Sequence, residues 1–345
     1  MRRMLAAAAS LFLSVPVLAL PTGIYFFGDS LTDVGNASAV YATLPHAPGD
    51  PATIPGPPYD PPGGGKRGSN GKLYADVLAE GLGFTATPSE SGGNDFAFGG
   101  ARTRYQIFGS PYQGILEQVA TFKALPGAAD SSALYVLWGG SNNLQDIITR
   151  KAVDVNGNPI PNVAQTIGDI AGAISALHAE GARKILVPNV VDLALVPRIA
   201  GPLQELALTN PTLAAFLRNQ YLTLSLGYNA GLATTLEALE HSLAGLDIIE
   251  FDAFSNLNEI IAHASRYGFT NTSARCYTGD DQNFSGGGSV CAHPEDYLWW
   301  DGIHPTAALH HILGQRMLAS LPEPGTLLLM SLALAASLRR RRAHH

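Results

Sequence analysis

The stretch FFGDSLTDVGN (residues 26–36) places a polar turn directly after an apolar run. Its beginning, with Ile24 and Tyr25 before it, has the short continuous pattern of a strand that is buried on both faces. In open α/β sheets, functional sites gather at the carboxyl ends of the strands. Ser30 lies at such an end, where a serine acts either as a helix cap or, if a base lies within reach, as a nucleophile.

Three more apolar runs of this kind follow, and they alternate with helical patterns. The predicted strands are residues 24–27, 133–138, 184–188 and 247–251, and the predicted helices are residues 73–82, 112–124, 163–180 and 213–243. This alternation favours an α/β sandwich with a mostly parallel sheet. No repeat or linker divides the body, so we predict a single domain over residues 20–321.

The composition is that of a globular protein with a sizeable core. Hydrophobic residues make up 46% of the 345 residues and charged residues make up 14%. The formal net charge is −7, and no basic stripe runs along the body, which argues against a nucleic-acid partner.

The N-terminus has the pattern of a secretory signal peptide. Two arginines precede an apolar run, and small residues follow at Val17 and Ala19. We predict a signal peptide over residues 1–19, with cleavage after Ala19. The alternative is a buried N-terminal helix.

Cys276 and Cys291 are the two cysteines of the chain, and they lie fifteen positions apart in a loop-like stretch. In an exported protein such an isolated pair predicts a disulfide. Neither belongs to a C-x-x-C pair, so zinc binding is not indicated.

Residues 45–68, PHAPGDPATIPGPPYDPPGGGKRG, are too rich in proline and glycine for a regular element. A long loop inside a compact domain is usually either functional or disordered. Two interpretations stay open, a lid that faces the substrate and a tolerated surface insertion.

A base for Ser30 is available near the other end, in DYLWWDGIHPTAALHH (residues 296–311). His304 can accept the serine proton, and Asp301, three residues earlier, can hold the imidazole in the required tautomer. The alternative is an ordinary loop hydrogen bond. His310 and His311 fall in the following helix and have the pattern of ordinary helix-face residues.

Two stretches can supply hydrogen-bond donors to a developing oxyanion. One is GGNDFAFGGAR, which contains Gly99 and Gly100, and the other is LWGGSNNLQD, which contains Asn142 and Asn143 after a predicted strand. Taken alone, each is typical of an ordinary turn.

Together these stretches, in this order, resemble the GDSL esterases and lipases of the SGNH hydrolase superfamily. The resemblance runs from about Ile24 to about Leu321 and includes the SNGKLYADVLAE segment. It implies a three-layer α/β/α flavodoxin-like fold with about five parallel strands, and ester hydrolysis through an acyl-enzyme without a cofactor or metal.

Carried over by position, the resemblance makes Ser30 the nucleophile, with Asp301 and His304 completing the triad. Ser30 N–H, Gly100 N–H and the Asn142 amide would form the oxyanion hole, with Gly99 as an alternative to Gly100. Asn143 departs from the family, which usually has aspartate there. The sequence KRGSNG also departs from the usual arginine–aromatic pattern.

The C-terminal end resembles the PEP-CTERM sorting signal of Gram-negative bacteria. Pro322 and Pro324 flank a glutamate, an apolar run follows at residues 327–338, and four arginines occupy residues 339–342. The run is shorter than the about 20 residues that a bilayer requires. The resemblance implies membrane retention and recognition by an exosortase for residues 322–345. The alternative is a plain terminal helix.

Several enzyme classes lack their motifs, since the chain has no G-x-S-x-G, no H-E-x-x-H and no Walker A spacing. We therefore expect a serine esterase outside the cytoplasm, at the cell surface, outer membrane or extracellular matrix. Its substrates would be lipid or short-chain esters, or acetyl groups on polysaccharide. A surface or matrix protein that binds without catalysis is the alternative class.

Overall fold

Four short parallel strands form the centre of the computed structural model, which describes residues 20–46, 50–106, 109–127, 129–154 and 157–322. In chain order, which is also their order in the sheet, they are β1 (Ile24–Gly28), β2 (Leu134–Trp138), β3 (Lys184–Pro188) and β4 (Asp247–Phe251). All five residues of β2 are buried, as expected of a strand covered by helices on both faces. The four strands lie where the sequence predicts them.

A fifth chain segment runs beside the free edge of β1. The Phe26 N–H donates to the Asn94 carbonyl at 3.0 Å, and the Phe96 N–H donates back to the Phe26 carbonyl at 2.8 Å. Residues 94–98 therefore occupy the place of a fifth parallel strand. The predicted α/β fold with about five strands is confirmed. The segment beside β1 is not a regular strand.

Helices follow the strands and form two groups. They are α1 (Asn36–Tyr41), α2 (Tyr74–Gly81), α3 (Ile115–Lys123), α4 (Ser141–Ile148), α5 (Val163–Glu180), α6 (Pro197–Thr209), α7 (Pro211–Ser242), α8 (Ala253–Ala262) and α9 (Ala307–Ser320). Helices α3, α5 and α7 pack in succession, and α2 packs against α9. With the sheet between them, these groups make the three layers.

Helices α4, α6 and α8 were not predicted, and α3 and α7 begin at residues other than the predicted ones for local reasons. Helix α3 begins at Ile115 rather than at residue 112, because the Gly114 N–H is capped by the Glu117 carboxylate at 3.0 Å. Helix α7 begins at Pro211, after a separate helix α6 that was not predicted. Asn210 divides the two, since its side chain accepts the Leu213 N–H at 3.0 Å and caps α7.

A small sheet of β5 (Asn271–Arg275) and β6 (Tyr297–Trp299) leads into the segment that carries His304. Between these strands, Cys276 and Cys291 form the disulfide that the sequence predicts. The disulfide loop, defined here as residues 276–291, thus lies next to the segment that holds Asp301.

The proposed N-terminal signal peptide and residues 323–345 of the sorting segment lie outside the described residues. Within the part of the chain that is described, no helix has the length and apolarity that a membrane crossing requires.

Candidate active site

A tight turn follows β1 and carries Ser30. The Thr32 and Asp33 N–H groups both donate to the Asp29 carbonyl at 2.9 Å. A side chain at Gly28 would clash, since its Cβ would lie 2.6 Å from the Trp138 carbonyl oxygen on β2. Glycine at this position therefore allows the strand to end against β2 and present Ser30 at the rim of the sheet.

Ser30, His304 and Asp301 form a continuous hydrogen-bonded chain. Ser30 Oγ lies 2.8 Å from His304 Nε2, and His304 Nδ1 lies 2.6 Å from Asp301 Oδ2. An ionised carboxylate only accepts, so Nδ1 carries the proton and Nε2 accepts from the serine hydroxyl. The three residues that the sequence singled out are brought together.

Helix capping by Ser30 does not occur. Helix α1 begins only at Asn36, and Asp33 caps it by accepting the N–H groups of Asn36 at 2.6 Å and Ala37 at 3.1 Å. The serine hydroxyl is thus left for its contact with His304.

The Asp301 carboxylate is fully buried and fully hydrogen-bonded. Its Oδ1 accepts the N–H groups of Ile303 at 2.8 Å and His304 at 2.7 Å. Burial raises the pKa of Asp301, but the interaction with His304 and these backbone donors outweigh it, so the pKa lies below its ordinary value. Asp301 is therefore ionised at neutral pH.

Tyr59 supplies a further donor to Asp301 that sequence reasoning missed. Its hydroxyl donates to Oδ2 at 2.7 Å, and its ring is 2% exposed. The ring packs edge-on against Tyr277, Phe284 and Trp300 in an aromatic cluster beside the disulfide. The proline- and glycine-rich segment thus contributes to the site and is not a mere surface insertion.

Gly302, between Asp301 and His304, is held by two other parts of the chain. Its N–H donates to Asp281 Oδ2 at 2.7 Å, and its carbonyl accepts the Arg198 N–H at 2.7 Å. Arg198 also forms an ion pair with Asp281 at 2.8 Å. The disulfide loop and the start of α6 therefore fix the turn that carries the acid and the base.

The backbone distinguishes Gly100 from Gly99 as a donor. The Gly99 N–H is already donated to Asp33 Oδ2 at 2.8 Å. Among the described residues, neither the Gly100 N–H nor the Ser30 N–H has an acceptor. Gly100 has a φ of 82°, which favours glycine, and so points its N–H differently from its neighbour.

Asn142 stands at the start of α4 and lines the cavity above Ser30. Its amide nitrogen donates to the Ala101 carbonyl at 3.0 Å and, more weakly, to Asp29 Oδ2 at 3.3 Å. One of the two amide hydrogens is therefore engaged only in the long hydrogen bond to Asp29. A stronger acceptor, such as an oxyanion, can take the place of Asp29.

Asn143 is completely buried and makes two hydrogen bonds with Thr103. Its Oδ1 accepts the Thr103 N–H at 3.0 Å, and its Nδ2 donates to the Thr103 hydroxyl at 3.2 Å. An amide satisfies both partners here, whereas an ionised carboxylate could only accept. The departure from the family is thus matched to its surroundings.

Asp29, next to the serine, is buried with few partners. Burial raises the pKa of Asp29 to about 6, against the opposing effects of the Leu31 N–H, His304 and Arg102.

His310, predicted as an ordinary helix-face residue, is buried in α9. Its Nδ1 accepts the Tyr74 N–H at 3.3 Å, and Nε2 has no partner among the described residues. Burial, and then the charge of His304, lower the pKa of His310 to about 3. The ring is neutral and is part of the core beneath the site.

Two cavities open beside Ser30 and His304. The larger has a volume of about 520 Å³, and the smaller about 80 Å³. Ile54, Pro55 and Lys66 of the proline- and glycine-rich segment line the larger cavity. The two predicted donor stretches and His304 face this space, whereas Asp301 is fully buried and does not line it.

Two models of known protein families match this chain. Residues 24–317 match the family model of the GDSL-like lipases and acylhydrolases. The match covers most of the chain, which therefore belongs to this family. Residues 320–342 match the PEP-CTERM protein-sorting motif, which indicates export and surface sorting. Both resemblances drawn from the sequence are confirmed.

Individual relatives have different descriptions. A GDSL esterase/lipase of Arabidopsis thaliana is 27% identical over 337 residues, which cover 87% of this chain and 89% of the relative. An inactive GDSL esterase/lipase-like protein of the same plant is 26% identical, with 87% and 72% covered. A protein from Parabacteroides merdae, whose crystal structure is described as that of a putative GDSL-like lipase, matches with a TM-score of 0.41 and 12% identity over 88% of this chain and 98% of that chain.

Proposed function

We propose that the protein is a serine esterase that hydrolyses carboxylic esters through an acyl-enzyme intermediate. The observation that carries this proposal is the hydrogen-bonded chain from Ser30 through His304 to Asp301, with distances of 2.8 and 2.6 Å. Nucleophile and base within hydrogen-bond reach, with a third group that orients the base, are the geometric requirements for covalent catalysis by serine.

In the first half of the reaction, Ser30 Oγ attacks the ester carbonyl carbon and its proton moves to His304 Nε2. The Asp301 carboxylate stabilises the imidazolium that forms. The carbonyl oxygen becomes an oxyanion, which accepts the free N–H groups of Ser30 and Gly100 and one hydrogen of the Asn142 amide.

The tetrahedral intermediate then collapses. The bond to the alcohol oxygen breaks, and the alcohol takes the proton from His304 Nε2 as it leaves. Water next attacks the acyl-enzyme, again with His304 as the base, which releases the carboxylic acid and restores Ser30. The products, one acid and one alcohol, balance the ester and water consumed.

The route out of the cell and the chain boundaries are part of the same proposal. Residues 1–19 act as the signal peptide, residues 20–321 form the hydrolase domain, and residues 322–345 act as a sorting segment for exosortase-type machinery. The match to the sorting motif over residues 320–342 supports this arrangement. The esterase then works at the cell surface or in the extracellular matrix, with a transient membrane tether.

The test compares the full-length protein with Ser30→Ala on p-nitrophenyl esters from acetate to palmitate. Ser131→Ala, an exposed serine before β2, is the matched control. We expect hydrolysis by the wild type and the control, and loss of at least about a thousandfold in kcat for Ser30→Ala. Equal activity in Ser30→Ala would remove this serine as the nucleophile, and no activity in the wild type would favour a binding role.

A further inference from the structure

The two cavities beside Ser30 meet at the reacting group and differ in chemistry. Five residues line both of them, namely Ser30, Asn142, Gln145, Ile303 and His304. An ester bound at Ser30 has two substituents on its carbonyl carbon, besides the oxygen that enters the oxyanion hole. Each cavity can therefore receive one substituent, the acyl chain or the alcohol.

The smaller cavity has an apolar wall. It is formed by side chains from the segment after β3 and from α6, α8 and α9, among them Val191, Leu193, Val196, Ile199, Leu257 and Leu313. A hydroxylated alcohol placed here would lose its hydrogen bonds with water and find few partners. A hydrocarbon chain gains about 0.8 kcal/mol for each methylene that it buries. The smaller cavity is therefore suited to the acyl chain.

The volume of this cavity limits the length of the chain. A dry apolar cavity of about 150 Å³ holds benzene, so each carbon needs roughly 25 Å³. The 80 Å³ cavity then accommodates about three carbons beyond the carbonyl group. Acetyl to butyryl groups fit, and a longer chain would have to leave the cavity.

The wall of the larger cavity combines apolar side chains with many more polar and charged groups than the smaller cavity has, and most of these charges are paired within the protein. Arg102 and Lys151 both pair with Asp146, at 2.7 and 2.8 Å, and Arg198 pairs with Asp281. Lys66 has no ion pair among the described residues, but it is exposed at the rim, where water and salt screen it. Because Arg102 and Lys151 share one carboxylate, the excess positive charge of the wall belongs to the exposed Lys66 and Lys151. The buried part of the wall therefore offers little net charge to an ionic headgroup.

Uncharged hydrogen-bonding groups remain for a ligand in the larger cavity. The amide side chains of Gln145, Gln282 and Asn283 line it, and Phe284 supplies an aromatic ring. Amides donate and accept hydrogen bonds, as neutral hydroxyl groups require. At about 520 Å³, the space is in the range of ligand pockets and much larger than the acyl cavity.

From these two cavities we infer the substrate class, an inference that rests on the proposed function. The substrate is a short-chain acyl ester, acetyl to butyryl, of a neutral polyhydroxylated alcohol such as a sugar unit of a polysaccharide. The acyl group occupies the smaller, apolar cavity, and the alcohol occupies the larger cavity with its more numerous polar groups.

The acyl half is tested with the full-length protein and p-nitrophenyl esters of increasing chain length. We expect kcat/KM to be highest from acetate to butyrate and to be at least about tenfold lower for octanoate and longer esters. Val191→Phe, which fills the apolar cavity, should lower kcat/KM for butyrate more than for acetate. Ile199→Ala, which enlarges it, should move the optimum to a longer chain.

Val153→Phe is the matched control, because Val153 is 52% exposed and does not line either cavity. It should leave the chain-length profile unchanged, and thermal unfolding would verify that all three variants fold. A wild-type optimum at octanoate or beyond would overturn the inference, as would an unchanged profile in both cavity variants.

The alcohol half is tested with acetylated xylan and with phosphatidylcholine vesicles. We expect release of acetate from the xylan that is lost in Ser30→Ala, and much slower release of fatty acid from the vesicles. Faster release from the vesicles would overturn the inference while leaving the esterase proposal intact. Hydrolysis that persists in Ser30→Ala, or a wild type inactive on every ester, would instead contradict the proposed function and the inference with it.

Discussion

The hydroxyl of Tyr59 donates a hydrogen bond to Asp301 Oδ2 at 2.7 Å, although the two residues are 242 positions apart in sequence. The same oxygen accepts a hydrogen bond from the Nδ1–H of His304 at 2.6 Å. Tyr59, which belongs to the proline- and glycine-rich segment, therefore holds the Asp301 carboxylate in place, and this carboxylate in turn orients His304.

Replacing Tyr59 with phenylalanine keeps the ring in its aromatic cluster and removes this one donor. A hydrogen bond to a charged group contributes about 1.5–3 kcal/mol, so we expect kcat to fall by roughly tenfold or more with little change in KM. The acid limb of the pH–rate profile should move to higher pH, because a carboxylate that has lost a donor is more basic and the His304–Asp301 pair then holds its proton more tightly.

Tyr277→Phe is the control for this variant, since Tyr277 packs in the same cluster but donates no hydrogen bond to Asp301. It should retain the wild-type kcat and pH profile. A positioning role for Tyr59 would be wrong if both variants behaved alike.

Asn142→Ala tests the side-chain donor of the proposed oxyanion hole. Loss of one such donor costs about 10²–10³ in kcat, and KM should change little because the interaction forms mainly in the transition state. Gln145→Ala, in the same cavity wall, should change KM more than kcat. Steady-state kinetics on p-nitrophenyl acetate separates the two, and an unaltered kcat in Asn142→Ala would exclude Asn142 as a donor.

Asp29 should make the stability of the protein depend on pH. Its pKa is about 6 in the folded protein and 3.8 ordinarily, so between these values the unfolded chain has lost a proton that the folded chain keeps. Stability due to Asp29 is thus complete below pH 4 and declines by roughly 3 kcal/mol as the pH rises to about 6.

Asp29→Asn lacks this titration. The difference in unfolding free energy between the variant and the wild type should therefore grow in favour of the variant from pH 4 to 6, and stay constant from pH 7 to 8. Urea denaturation at each pH measures it. A difference that does not vary with pH would show that burial does not raise the pKa of Asp29.

The disulfide should stabilise both the fold and the site. It closes a loop of sequence separation 15, worth up to about 3 kcal/mol in the chain-entropy model. That loop carries Asp281, which holds Gly302 beside Asp301. Replacing Cys276 and Cys291 together by serine should lower the unfolding free energy. It should also lower kcat when the rate is measured at a temperature at which the variant is folded.

A reducing agent should reproduce both effects in the wild type and leave the double variant unchanged. Unfolding curves and initial rates with and without the reductant test this. Wild-type stability in the double variant would contradict the expected contribution of the disulfide.

The sheet was predictable because its strands are short, largely apolar runs in which most residues are buried. The segment in the fifth strand position could not be predicted. Residues 94–98 include polar Asn94 and Asp95, so they lack a continuous apolar pattern, and hydrogen bonds to β1 hold them in place. Helix α6 was missed for a similar reason, because Pro202 lies within it and interrupts the helical pattern.

The acid, base and serine could be predicted from their local motifs, whereas their supports could not. Tyr59 lies in a segment without periodicity, so nothing in its neighbourhood indicates a partner near the other end of the chain. Which of Gly99 and Gly100 can donate to an oxyanion depends on Asp33, whose carboxylate accepts the Gly99 N–H and leaves the Gly100 N–H available. His310 follows a helical pattern that does not reveal how completely α2 and α9 bury it.

The most direct test of the account is to trap the acyl-enzyme. Full-length protein is mixed with p-nitrophenyl butyrate, quenched in acid within the first turnovers, digested and analysed by mass spectrometry. The account predicts a butyryl group on the peptide that contains Ser30, and no adduct in Ser30→Ala. Rapid turnover with no acyl group on Ser30, or with the group on another residue, would contradict it.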